Sequence, residues 1–520
     1  MRLTQLSIIL LFFVQCSHSA RILGVFPLAG KSLNILYNRL MKGLADAGHD
    51  VTVISAYENK LPLINGSITD VILTGFAEEY DIIINEENFL DSPEEYPFYT
   101  VLYYLVLFEP IWNNTLHHPN VQKLLASNKQ FDLVITEHLW NDCLKVFAHF
   151  YNCPLVVFTS MGGINTWVND QVGNFFLPSY VNHAMKLSGE SEEMNFAQRA
   201  HNLLFYITDY VYKHYYLFPN SNAMLKSAFS NPPDIEDIYD NVSLVLLGSH
   251  ASLRPAAPLS PNTVEIGGFH IDPPKKLPKD LQEIMDNAKH GVIYLSMGSH
   301  LKSRDFSEDR KKMFLNVFGR LKQTVLWKFE DETLPGKPDN VFTKKWLPQM
   351  DLLAHPNMKL FITHGGYGSL QETIYHGVPV LAISVAADQH NNAFQAVQLG
   401  FALKLSYNDK RFSEETLFNQ IRELLDNPKY RENAQARSRL FHDRPMKPLD
   451  TAVYWIEYVI RNKGADHLRL SSTKLSWYKL YLIDVFAVFL ISLLVLYRIV
   501  SVLLAKIFKK EQRKQKLKKN

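Results

Sequence analysis

Short apolar runs that stop at a Gly- or Pro-containing turn and hand over to helical spacing recur along this chain, and they restrict its fold more than any other feature. In ARILGVFPLAGKS a buried-type run, Ile22 to Phe26, closes in a Pro/Gly turn. Leu36, Leu40 and Leu44 then follow at helical spacing, up to a second strand in AGHDVTVIS. Strand, helix, strand within about 35 residues is a βαβ unit and requires a parallel sheet. FDLVITE (131–137) and PLVVFTS (154–160) are two more such strands with a helix between them. The pattern restarts at GVIYLSMGS (291–299) and continues through TVLWKFE, MKLFITHGG and PVLAISVAADQ. The expectation is an α/β protein with two separate doubly wound parallel sheets. Their boundary is expected in GGFHIDPPKKLPKD (267–280), where prolines and charges cluster as in a linker.

A chain of 520 residues is too long for one core, and 47% hydrophobic with 20% charged residues is a globular composition. Its two ends are different. Residues 1–20 carry one early charge, Arg2, an apolar run from Leu6 to Val14 and small residues before Arg21, the layout of a secretory signal peptide. Residues 480–505 are apolar enough to span a bilayer, with Asp484 and Arg498 towards the ends. A short juxtamembrane segment, 466–479, precedes them, and a basic tail, 506–520, follows. Subtracting the tail's +7 from the chain's formal +2 leaves −5 on the rest, so the basic residues are topogenic and argue against a nucleic-acid partner. The expected topology is single-pass type I, with the bulk of the chain luminal and the tail cytosolic. Lys516 and Lys518, fifth and third from the end, resemble a dilysine retrieval signal of the endoplasmic reticulum membrane.

Three sequons, at Asn65, Asn113 and Asn241, fall on the luminal side and are candidate glycosylation sites. Cys16 leaves with the signal; Cys143 and Cys153 form neither a disulfide framework nor a metal set, so no metal is expected. A helical, aromatic region spans FFLPSY near 175 and LLFYITDYVYKHYYLF at 203–218. It can line a site for an apolar small molecule, or serve core or membrane-surface packing.

The chemistry concentrates between Trp346 and Asn392. A strand ending at Thr363 runs into His364-Gly365-Gly366, and a helix is expected from about Ser369. Small residues let backbone approach a phosphate, and a helix N-terminus offers unpaired N–H groups and a positive dipole end. His364 and Ser369 can donate to a diphosphate. Glu372 is placed to accept both hydroxyls of a ribose, Trp346 offers a flat face to a base with Gln349 one turn away, and Asp388-Gln389 suits sugar hydroxyls. Gly298-Ser299 forms a second phosphate-facing turn.

These residues in this order resemble the signature of the UDP-glycosyltransferase superfamily, most closely the insect-type membrane members. The likeness extends over GHDVTVIS, IGGFHI, VIYLSMGS, VLWKFE and DRPMKPLDTAVYWIEYVIRNKGADHLR. It implies a GT-B fold, with an acceptor-binding domain (21–270), a UDP-sugar-binding domain (271–465) and a cleft between. By resemblance Trp346 stacks on uracil, Gln349 and Glu372 hold the ribose, Ser299, His364, Gly366 and Ser369 meet the diphosphate, and Asp388 and Gln389 hold the sugar. The sequence departs from relatives at Ser384, where many have proline near the sugar subsite, and at Gly368, where several vertebrate members have Asn. The resemblance implies a UDP-sugar co-substrate and no other cofactor. The acceptor is a small lipophilic molecule, and homo- or hetero-oligomers with relatives are the expected protein partners.

The largest departure is in the first turn. Relatives place a base histidine where this chain has Leu33, and its orienting acid falls on Glu137. A missing general base removes a factor of typically 10²–10⁴ from transfer to a hydroxyl, whereas an amine brings an available lone pair. Three outcomes are open: inverting hexose transfer, with glucose as the expected sugar, favouring nitrogen acceptors; Glu137 acting directly or through water; or a non-catalytic protein that binds UDP-sugar and ligand. A glucuronate carboxylate would want a cation, and the candidate position holds Ala257-Pro258, with Arg254 three residues earlier.

Overall fold

The computed structural model describes residues 19–86, 90, 97–161, 166–183, 193–254, 256–299, 301–386 and 388–518. The leader therefore lies almost wholly outside the described residues, as do the last two residues of the tail. Residues up to Arg469 form one compact unit and Leu470–Asn520 a second.

The first unit holds two parallel sheets. One contains β1 (Arg21–Phe26), β2 (Asp50–Ser55), β3 (Ser67–Ile72), β4 (Leu133–Glu137), β5 (Leu155–Thr159), β6 (Leu244–Leu247) and β7 (Thr263–Glu265), in the order β3-β2-β1-β4-β5-β6-β7. The other contains β8 (Val292–Ser296), β9 (Thr324–Lys328), β10 (Val341–Lys344), β11 (Met358–Thr363), β12 (Val380–Ser384) and β13 (Ala402–Ser406), in the order β10-β9-β8-β11-β12-β13. Every residue of β4, β5, β6, β8 and β12 is buried, because helices cover both faces. That is why these strands read as unbroken apolar runs.

Strand order reverses once in each sheet, between β1 and β4 and between β8 and β11. At such a switch the connections on either side diverge and leave a crevice at the carboxyl ends of the strands. Val25 pairs with Thr136 at the first switch and Ser296 with Thr363 at the second. Leu33, in the first turn of the Lys31–Asp46 helix, and Ser299 and His364, in the turns after β8 and β11, all follow these strand ends, and Glu137 is the last residue of β4.

The Lys31–Asp46 helix packs Tyr37, Leu40, Met41 and Leu44 against the first sheet, and Phe26 stacks on Tyr37 at 4.4 Å between ring centres. In the second sheet Trp327 is fully buried among Phe314, Phe318 and Phe329. The Pro448–Arg461 helix, placed by sequence order with the second domain, sets Ala452, Ile456 and Val459 into the core of the first sheet beside Ile22, Leu44 and Val156. Its apolar positions recur at helical spacing and match that exposed apolar face.

In the second unit a short helix, Trp477–Leu480, precedes a helix of 35 residues, Ile483–Leu517. Leu482 takes a left-handed φ of 55°, which breaks the helix and moves its start to Ile483 from the expected 480. The Ile483–Gln515 stretch is long and apolar enough to cross a membrane, and it continues without interruption into the basic tail.

Candidate active site

The two switch points open onto one cavity of about 910 Å³. Ser299, Trp346, Gln349, His364, Gly366, Ser369, Glu372, Asp388 and Gln389 all line it, as does Leu33. Glu137 does not.

On the second sheet's side the cavity is built around the Tyr367–His376 helix, whose N-cap is Gly366 and whose first turn receives no side-chain cap. It starts two residues before the expected Ser369, so the N–H groups of its first turn point towards the cavity unclaimed by helix bonds. His364 packs its ring close against backbone at Gly298 and at Gly366. A Cβ on Gly298, at φ +85°, would come within 2.6 Å of its ring, and one on Gly366 within 2.5 Å. Glycine is required at both positions for the imidazole to occupy this place.

Gln349 organises the neighbouring carboxylate. Its Nε2 donates to Glu372 Oε2 at 2.7 Å and to Ser369 Oγ at 3.1 Å, while Tyr294 donates to its Oε1 at 3.4 Å. Burial pushes the Glu372 carboxyl up to about 7, with the bond from Gln349 opposing that shift. Trp346 is 65% exposed, which leaves its indole face open, and Lys328 Nζ sits 5.8 Å from its ring centre. Asp388 accepts from Asn392 at 2.7 Å, and burial raises its pKa. Gln389 Oε1 accepts from the backbone N–H groups of Val385 and Ala386.

Ser384, expected near the sugar subsite, does not line the cavity; it is buried and bonded to His390 Nδ1 at 2.8 Å. Gly368 does line it, and a Cβ there would meet no described atom within 4 Å. Arg254 is buried and bound to Glu265 at 2.8 Å.

On the first sheet's side the cavity is lined by the apolar Leu36, Phe108, Leu139, Trp140 and Trp167 together with Leu33, and by the polar Asn182, His183 and Glu193. Trp140 and Trp167 meet edge to face at 4.7 Å, and Trp167 Nε1 donates to Asp209 at 2.6 Å. Trp140 takes a φ of 56°, a strained backbone for a large side chain, directly after the strand that carries Glu137. Glu137 itself is 2% exposed. Its Oε1 accepts from the hydroxyl and the backbone N–H of Ser160, and its Oε2 has no partner. Burial pushes its carboxyl up to about 8, opposed by the bonds from Ser160. Ser160 lines the cavity.

A chain with two parallel sheets and a cavity lined from both switch points has measurable kin. The family model for UDP-glucoronosyl and UDP-glucosyl transferase matches residues 84–518. The chain belongs to this family. UDP-glucosyltransferase 2 of Dactylopius coccus is 36% identical over 504 residues, covering 94% of this chain and 93% of its own. UDP-glucuronosyltransferase 2B15 of Rattus norvegicus is 32% identical over 464 residues, 86% of each chain. Among solved structures, a UDP-glucosyltransferase from Polygonum tinctorium has a TM-score of 0.58 at 16% identity, covering 86% of this chain and 100% of that one. The fold is thus the GT-B-like two-sheet fold of glycosyltransferases, with one membrane-length helix added at the C-terminus. The protein is a UDP-sugar-dependent glycosyltransferase of small acceptors.

The cavity residues of this transferase that escaped the sequence reading include Ser160, His183, Glu193, His270 and Lys328. Lys328 donates to the carbonyl of Gly298 at 3.0 Å and to Glu330 at 2.7 Å, bracing the turn that carries Ser299. A lysine inside the apolar strand VLWKFE was the available signal. Of the sequons, Asn65 lies in an exposed loop and Asn241 is exposed. Asn113 is inside a helix, and Thr115 of its sequon is buried and bonded to Ile111.

Proposed function

We propose that the transferase moves glucose from UDP-glucose, with inversion, to a small lipophilic acceptor, and that Leu33 makes nitrogen its preferred nucleophile. The observation that carries this is the place of Leu33: an alkyl side chain faces the cavity where relatives put a base, and the acid expected to orient that base, Glu137, lies behind Ser160 and does not line the cavity. With its pKa up at about 8, Glu137 is mostly protonated at neutral pH and a weak recipient for a hydroxyl's proton. An amine needs no such help in the bond-forming step. Its lone pair attacks the anomeric carbon, the bond from that carbon to the β-phosphate oxygen breaks, and UDP leaves with the electron pair. A primary or secondary amine sheds its proton afterwards.

Two of the three described Lys and Arg side chains that line the cavity are already paired, Arg254 with Glu265 and Lys328 with Glu330, which favours glucose over glucuronate and leaves Lys31 as the cation a sugar carboxylate would have to use. In the donor site Trp346 would stack on uracil, Gln349 and Glu372 would hold ribose, His364, Ser299 and the turn at Gly366 and Ser369 the diphosphate, and Asp388 with Gln389 the hexose. The leader, the membrane-length helix and the basic tail support residence in the endoplasmic reticulum membrane with both sheets luminal.

The test is transfer from UDP-glucose and from UDP-glucuronate to matched phenol, primary amine and tertiary amine acceptors in microsomes. The proposal expects glucosylated amines to dominate. Equal or better conjugation of the phenol, or a preference for UDP-glucuronate, contradicts it.

A further inference from the structure

His270 lies in the connection between the two sheets, five residues after β7, yet it lines the nucleotide half of the cavity. It is 5% exposed, and neither ring nitrogen has a hydrogen-bond partner among the described residues. Its Nε2 stands 3.8 Å from Glu372 Oε1, the oxygen of that carboxylate turned away from Gln349. Burial, aided by the positive charge of Arg39, brings the imidazole down to about 4, so it is neutral and carries one N–H. Arg39 itself is paired with Asp272.

A buried imidazole with two unused nitrogens is costly unless something bonds to it. The separation from Glu372 fits one kind of group. An oxygen can sit within hydrogen-bond reach of two atoms 3.8 Å apart, and a hydroxyl there donates to the carboxylate while accepting from the imidazole N–H. Glu372 can only accept, so by itself it leaves the lone pairs of a bound hydroxyl unused. We infer that His270 is a nucleotide-binding residue: with Glu372 it brackets one ribose hydroxyl of the UDP-sugar, His270 donating to the oxygen that donates to Glu372.

This rests on the proposed assignment of Glu372 to the ribose. It adds that the inter-sheet connection is part of the donor site, and that nucleotide binding fastens it to the second sheet. Gln371, beside Glu372 on the helix, already accepts from the Gly268 N–H at 2.6 Å and donates to the Gly248 carbonyl at 2.9 Å, so backbone from the first sheet's side is held two residues from His270.

The experiment is calorimetric binding of UDP, 2′-deoxy-UDP and 3′-deoxy-UDP to the full-length protein in detergent, with His270→Ala, His270→Gln and Glu372→Ala. His270→Ala should weaken UDP binding about tenfold, the size of one good hydrogen bond, and the loss should vanish for the analogue lacking the bracketed hydroxyl. His270→Gln, which keeps an N–H donor, should recover part of it. Equal loss for UDP and both deoxy analogues would make His270 a structural residue and overturn the inference, as would no loss at all. Should Glu372→Ala bind UDP undiminished, the ribose assignment itself fails. A loss for Glu372→Ala with none for His270→Ala removes only the bracket. Wild-type binding of the two analogues is independent of any folding defect: equal affinity of both for the protein, matching UDP, also overturns the bracket.

Discussion

At the scale of single residues, this transferase is governed by where burial puts its carboxyl groups. Glu372 is held at about 7 by burial, and only its ionised form accepts two hydroxyl bonds. Affinity for UDP-glucose, whose diphosphate does not titrate in this range, should therefore rise with pH through about 7 and level off above it. Calorimetry between roughly pH 5.5 and 8.5 checks this, and Glu372→Gln should flatten the profile. Glu137, at about 8, gives a matching expectation on the acceptor side. Residual transfer to a phenol should climb as pH passes about 8, and Ser160→Ala, which removes the hydroxyl bonded to Glu137, should change that profile while leaving UDP binding intact. Sequence alone places both acids but not their protonation, because that depends on what packs around them. The same holds for Glu137's separation from the cavity, since the residue between them, Ser160, comes from the neighbouring strand.

At the scale of elements, the turns after β8 and β11 are one device. Each contributes a glycine against the same imidazole, so Gly366→Ala should push His364 out of place and weaken UDP-glucose binding about tenfold, with little change in melting temperature because the new methyl displaces a cavity side chain rather than core. Gln371→Ala should behave in the opposite way. It leaves the Gly268 N–H and Gly248 carbonyl unpaired in a buried place and should cost about 1–3 kcal/mol of stability, readable by denaturant unfolding of the solubilised protein. The strands that carry these turns were legible in the sequence: β1, β2, β4, β5, β8, β9, β11 and β12 are buried on both faces or nearly so and read as apolar runs. β3 was not, because its SITDVI alternates and lies half exposed at an edge, and β7 and β10 are edge strands of three and four residues with too little pattern to register. β6 and β13 were also passed over; β6 is apolar throughout, but four residues do not distinguish a strand from a buried helical turn.

At the scale of the whole molecule, sequence order and packing disagree at one place, the Pro448–Arg461 helix. Because Ile456 is fully buried in the core of the first sheet, Ile456→Ala should destabilise the first sheet by about 2–5 kcal/mol, seen as a drop in melting temperature of the solubilised protein, while an exposed neighbour such as Tyr454→Ala should change little. The chain thus crosses back to the first sheet before Leu470, where the membrane-length unit begins. In the proposed function a retained donor site faces an acceptor chamber in which Leu33 stands at the relatives' base position, while the cavity's own His183 is held by Asp209 at 3.4 Å. The measurement that bears on this arrangement most directly is the ratio of amine to phenol glucosylation by wild type and Leu33→His at equal protein and UDP-glucose. The account predicts a wild type confined largely to amines, and a variant that gains phenol transfer by about 10²-fold or more as the imidazole takes the hydroxyl's proton. An unchanged ratio in the variant, or a wild type as fast on the phenol as on the amine, would contradict it.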